Sequence, residues 1–166
     1  EFIPTGMSVG GQELHLVYDT SARLPATGDP ATGMKRLNAL GALWSTSFHR
    51  QLYLSVTGGS ALVTRGDGTV LNFTGNGAGV FTPTAGNPHK LESITGGYRF
   101  TDVNTALLET YDTDGRLQQA ASADGEVLTF TYADGDLVRV QARDGRKIQF
   151  VYGGVTIDRV IGPDLG

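Results

Sequence analysis

Few residues in this chain have the chemistry of an active site. Proton transfer near neutral pH would fall to His15, His49 and His89. None stands at metal-ligand spacing from another His, and the chain has no Cys, so thiolate catalysis, disulfides and Cys-based zinc sites are excluded. The most regular carboxylates are Asp114, Asp124, Asp134 and Asp144, each followed by Gly at a period of ten residues. A calcium loop gathers its oxygens within one short segment, whereas these lie in separate turns, so turn formation explains them. No nucleophile elbow surrounds any Ser, and the Gly-rich stretches lack the Lys-Ser/Thr ending of a phosphate loop. Arg65-Gly66-Asp67 spells an adhesion tripeptide, but a Gly66-Asp67-Gly68 turn already accounts for two of its residues. Trp44, Tyr53, Tyr98, Tyr132 and Tyr152 are the aromatics able to stack on sugar rings, although strand aromatics more often pack in cores or cross-strand pairs. The expectation is a protein without catalytic residues, metal or cofactor.

The elements that would position these residues follow from the same Asp-Gly period. Asp-Gly between alternating apolar and polar residues marks a hairpin. Leu128, Phe130 and Tyr132 share one face of a strand, as do Val138, Val140 and Ala142, and Ile148, Phe150 and Tyr152. All nine positions are even-numbered, and directly opposed residues point to one side. A two-residue loop would pair even with odd. A three-residue loop with Gly in the left-handed region restores the match. Three-residue turns are therefore predicted at 113–115, 123–125, 133–135 and 143–145. They pair Phe130 with Val138, Leu128 with Val140, Val140 with Ile148, and Asp112 with Arg116. Gly115, Gly125, Gly135 and Gly145 are expected at positive φ.

The 166 residues, 39% hydrophobic, suit one ordinary domain with its own core. A net charge of −4 without a basic run excludes the electrostatic footprint of nucleic-acid binding, and no apolar run is long enough to span a membrane. The start lacks Met, a basic region and an apolar leader, and the chain is expected to be a piece of a longer protein. Residues 1–11 read as a loose lead-in. Glu13–Asp19 reads as a strand with Leu14, Leu16 and Tyr18 on one side and His15 on the other. Thr20–Gly33 reads as a loop, and Met34, Leu37 and Leu40 carry helical spacing. Trp44–Val56 reads as one strand, with Trp44, Phe48, Leu52, Leu54 and Val56 opposite His49 and Tyr53. Ser60–Arg65 and Thr69–Phe73 form a hairpin pairing Val63 with Leu71 and Ala61 with Phe73. Gly75–Pro88 is a loop with room for one short strand. His89–Ile94, Gly97–Thr101, Thr105–Tyr111 and Val155–Ile161 are further strands. Many short strands at regular spacing mean an all-β fold. It is read as a single β domain over 1–166, with an irregular part at 1–104 and an antiparallel meander at 105–166.

Tyr111-Asp112, then Gly115-Arg116-Leu117, followed at Tyr132 by Gly135-Asp136-Leu137, resembles the YD repeat. Tyr-to-Tyr steps of 21 and 20 residues lead on to Tyr152. Val17-Tyr18-Asp19-Thr20-Ser21, Leu40-Gly41-Ala42-Leu43-Trp44-Ser45, and Arg65-Gly66-Asp67-Gly68 with Asn72-Phe73 are similar to segments near the start of RHS regions. Ala133 and Gly153 stand where the family often has Asp after Tyr, and Leu24–Arg36 has no counterpart. The chain is thus similar to RHS/YD-repeat proteins, a group that includes bacterial polymorphic toxins, toxin-complex components and teneurins. The resemblance implies a structural scaffold, part of a larger β shell around a C-terminal toxin or effector segment, in a protein that is secreted or at the cell surface. It implies further repeats of the same chain as partners, with toxin cargo, a secretion-system component or a surface glycan beyond them. The implied motif residues are structural: Tyr111, Asp112, Gly115, Arg116, Leu117, Asp124, Gly125, Tyr132, Asp134, Gly135, Leu137, Asp144, Gly145 and Tyr152. Gly162-Pro163-Asp164-Leu165-Gly166 only superficially resembles the family's self-cleavage motif and reads as another turn.

Overall fold

A computed structural model describes residues 2–18, 44–55, 57–154 and 156–163. Among them there is no helix; the elements are fifteen strands. A three-stranded sheet holds β1 (Phe2–Val9), β2 (Gln12–Tyr18) and β3 (Trp44–Thr46). A four-stranded sheet holds β4 (Gln51–Leu54), β5 (Ser60–Thr64), β6 (Val70–Gly75) and β7 (Phe81–Pro83). An eight-stranded antiparallel meander runs through β8 (Lys90–Ile94), β9 (Gly97–Asp102), β10 (Leu107–Asp112), β11 (Leu117–Ala121), β12 (Val127–Ala133), β13 (Asp136–Ala142), β14 (Lys147–Gly153) and β15 (Thr156–Ile161). The all-β architecture is the one read from the turn spacing.

Both smaller sheets lie on one face of the meander and share a single core with it. Phe73 of β6 meets Phe100 of β9 edge-on at 6.4 Å, and Phe81 meets Tyr98 at 6.0 Å. Phe48 meets Phe130 at 6.4 Å, and β1 touches β13 and β14. Of these, Phe48, Phe73, Phe100 and Phe130 are buried, and burying each stabilises by about 1.5–3 kcal/mol. The four-stranded sheet is fastened to the meander at both of its edges. On one side Val80 bridges Glu92. On the other, Gln51 bridges Arg116 and the Leu52 amide donates to the Gly115 carbonyl at 3.0 Å.

Three of the four expected three-residue turns are present. At 113–115, 123–125 and 143–145 the amides of Asp112, Ser122 and Ala142 donate to the carbonyls of Arg116, Glu126 and Arg146, each at 2.9 Å. The turn at 133–135 is a correction. Ala133 pairs with Asp136, so the loop is only Asp134-Gly135, with φ of 50° and 89°. Two successive positive φ values define the type I′ turn that matches strand twist. Parity is rescued elsewhere: Thr131 pairs with Arg139 but Tyr132 with Leu137, leaving Val138 as an extra residue in a β-bulge. Phe130 therefore faces Val140 and Leu128 faces Ala142, two residues beyond the expected partners. Leu137 takes the inward place expected for Val138. The parity argument required even opposite even, which holds at Phe130–Val140 and Leu128–Ala142; it did not fix the size of the loop. Val140 does face Ile148, and Val63 and Ala61 face Leu71 and Phe73.

Other expectations change as well. Residues 2–9 are a strand, not a loose lead-in, because β1 pairs with β2 on both sides of an irregularity between Pro4 and Ser8. The single strand expected from Trp44 onward is two, Trp44–Thr46 and Gln51–Leu54, interrupted where the Thr46 hydroxyl accepts from the Phe48 amide at 3.3 Å and the His49 amide donates to the Thr46 carbonyl at 2.9 Å. Phe48, His49, Leu52 and Tyr53 are all buried as a result. On β2, Leu14 and Val17 are the buried residues, on opposite faces, rather than a row of Leu14, Leu16 and Tyr18. The loop at 20–33 and the helical spacing at 34–40 lie outside the described residues.

Gly115 and Gly125 both have positive φ, at 76° and 86°, but only Gly115 is pressed against backbone: a Cβ there would overlap the Leu52 carbonyl oxygen. Gly125→Ala should cost about 1 kcal/mol from strain alone, and Gly115→Ala ~3 kcal/mol or more. Urea denaturation midpoints of the two variants read the difference.

Candidate functional site

The deepest polar feature joins all three sheets. Leu107, Glu109 and Tyr111 alternate along β10, so Glu109 points to the same inward side as Tyr111, and the two are 0% and 1% exposed. An isolated carboxylate there would be very costly. Arg50, in the turn between β3 and β4, donates to Glu109 Oε1 at 2.7 Å. Arg65, at the end of β5, donates to Oε2, which also accepts from the Tyr111 hydroxyl at 2.7 Å. Arg50 reaches further, to Gln12 Oε1 on β2 at 2.7 Å and to the Ser47 carbonyl at 3.1 Å. Arg65 lies 3.5 Å from Asp102 and stacks over the Phe100 ring at 4.6 Å. His89 Nδ1 is 3.3 Å from Asp102, without hydrogen-bond alignment. Two guanidinium groups thus balance two carboxylates. Burial, then the Glu109 charge, pushes the Tyr111 phenol well above its ordinary value of 10.0.

Above this knot opens a groove of about 450 Å³, lined among others by Gln12, Glu13, Arg50, Arg65, Asp67 and Asp102. Its arginines are spent on internal carboxylates. Of the adhesion tripeptide, Arg65 is held inside, with its side chain 12% exposed, while Asp67 caps its own turn by accepting from the Thr69 amide at 2.9 Å. No group of three or more His, Asp or Glu that could hold a metal occurs among the described residues.

The histidines are spread apart. His15 faces Glu13 at 3.3 Å. His49 is buried between Thr46 Oγ1, 2.7 Å from its Nδ1, and the Tyr152 hydroxyl, 3.2 Å from its Nε2. Tyr152 donates to the Leu137 carbonyl at 3.0 Å, which leaves its hydroxyl oxygen to accept from His49 Nε2. This contact ties the turn after β3 to the meander.

The motif residues form a second, repeating arrangement. Tyr111 pairs with Leu117, Tyr132 with Leu137 and Tyr152 with Ile157, and at each pair the register slips by one residue. The extra residues are Gln118, Val138 and Asp158. Asp112 accepts from the Arg116 amide at 2.8 Å and lies 4.0 Å from its guanidinium. Asp124 and Asp144 sit at exposed turn tips, where hydrogen bonds, led by the Ser122 hydroxyl for the first and the Arg146 amide for the second, hold their carboxyls below the usual range. Asp134 and Gly135 make the type I′ corner. Residues 111–147 match the family model described as RHS Repeat. These residues carry an RHS repeat. The match starts at the first of these tyrosines and contains two Tyr–Leu pairs at bulges, one beside the three-residue corner at 113–115 and one beside the two-residue corner at Asp134-Gly135. No curated protein matches the chain. No helix among the described residues is long and apolar enough to cross a membrane.

Sequence reasoning missed the knot. Parity with Tyr111 was available to place Glu109 inward; nothing local announces that Arg50 and Arg65 converge on it. The aromatics named for sugar stacking do not form an exposed row: Tyr53 is buried, Tyr98 packs on Phe81, Tyr132 and Tyr152 lean on the core, and Trp44 packs on Tyr18 at 4.8 Å.

Glu109→Ala should destabilise by about 3–5 kcal/mol, because it strands two inward guanidinium groups; urea unfolding measures this. Tyr111 binds its proton more tightly folded than unfolded, so its contribution is complete below pH 10.0 and declines as pH rises above it. Stability of the wild type should fall more steeply in that alkaline range than that of Tyr111→Phe, and the native phenol should stay protonated in an absorbance titration.

Proposed function

We propose that this chain is a non-enzymatic structural segment of an RHS-type β shell that encloses or presents a C-terminal toxin or effector segment. The observation that carries this reading is the inequality of the two edges of the meander. At β8 the edge is met by Val80, next to β7, through the bridge to Glu92. At β15 no strand other than β14 pairs among the described residues, and Ile157 and Val160 remain half-buried. A core incompletely covered on one side favours more strands on that side. The segment then sits where the repeat region starts, with further repeats of the same chain as its first partner and toxin cargo or a secretion-system component beyond. The RHS repeat at 111–147 supports a protein that is secreted or displayed at the surface. A glycan-binding or adhesion module is the weaker reading, since Arg65 is sequestered and the aromatics form no exposed row.

A copy of residues 123–162 appended after Pro163 tests the reading. The extended chain should stay monomeric, and β15 amides should gain hydrogen-exchange protection as new strands pair with them. Appended residues that exchange like unfolded chain beside a native core would count against growth at β15.

A further inference from the structure

We propose that Asn72 is an acceptor site for an N-linked glycan. Asn72-Phe73-Thr74 has the Asn-x-Thr form with a non-proline centre. The period of β6 sorts the three residues by face. Phe73 is 2% exposed, opposite Ala61 and packed on Phe100, whereas Asn72 and Thr74 are both exposed on the outer side of the sheet.

Asparagine is disfavoured in strands, and this one has no structural task for its side chain. Its carboxamide makes no hydrogen bond among the described residues. Only its backbone carbonyl is used, by the Thr84 amide at 3.2 Å, the Thr84 hydroxyl at 3.1 Å and Asn87 Nδ2 at 3.0 Å. Asn76 and Asn87 are different. Asn76 Oδ1 accepts from the amides of Ala78 at 2.9 Å and Val80 at 3.2 Å, and Asn87 Oδ1 accepts from the His89 amide at 3.0 Å. Neither of these lies in an Asn-x-Ser/Thr triplet.

The cross-strand neighbours of Thr74 are Ser60 and Thr82, both exposed. A sugar on Asn72 Nδ2 therefore projects into solvent without displacing a packed side chain. The co-substrate is an oligosaccharide carried on a lipid pyrophosphate. The Asn72 Nδ2 to sugar C1 bond forms, the C1 to pyrophosphate oxygen bond breaks, the amide proton passes to a base of the transferring enzyme, and the lipid pyrophosphate leaves. Nothing is oxidised or reduced. The attached glycan would keep this part of β6 at the outside of any assembly.

The test is to secrete the whole chain, behind a cleavable leader, from a eukaryotic host and map its peptides by mass. The expected result is glycan on the peptide containing Asn72, removed by a peptide N-glycosidase with conversion of Asn72 to Asp. Thr74→Ser should retain it, and Asn72→Gln and Thr74→Val should lose it while matching the wild type in urea midpoint. An unmodified Asn72 in the secreted protein, or in the cell-associated pool if secretion fails, would overturn the proposal. So would glycan persisting in Asn72→Gln.

Discussion

A pleated strand has two sides, and the residue facing the core must be apolar on every strand that crosses it. That constraint governs the meander. Each corner and each bulge shifts which residues oppose each other, and the combination must return apolar to apolar. Three-residue corners do this alone at 123–125 and 143–145. The two-residue corner at Asp134-Gly135 does it only with the Val138 bulge. At 113–115 a wide corner and the Gln118 bulge occur together, and the inward row changes from Glu109, Tyr111 and Leu117 to Ala120 and Leu128. The even-numbered row begins at that switch.

Glu109 stands at the end of the odd-numbered row, and it is the exception that the core had to accommodate. Its two oxygens are met by donors from the turn after β3, from the end of β5 and from β10 itself. A buried ion pair contributes little net stability compared with an apolar substitute, but breaking one is costly. Here the pair requires Arg50, from the turn after β3, and Arg65, from the end of β5, to reach the same carboxylate.

Legibility in the sequence followed the range of the interaction. Asp-Gly corners, strand order and most of the pairing were readable because turn chemistry and period-two patterning are local. The strand at 2–9 was not, since Pro4 and Gly6 argue against it and only pairing with β2 creates it. Positive φ at Gly135 could not distinguish the two kinds of corner, because both require it; φ at Asp134 is what differs. The Arg–Glu–Arg knot spans 59 residues between Arg50 and Glu109, beyond the reach of any periodicity.

The bulges have a geometric consequence. Gln118, Val138 and Asp158 fall on alternate strands, each just after the partner of a tyrosine. A bulge bends its strand and increases local right-handed twist. Supernumerary residues recurring every twenty positions therefore put that bend and added twist on every second strand from β11 to β15.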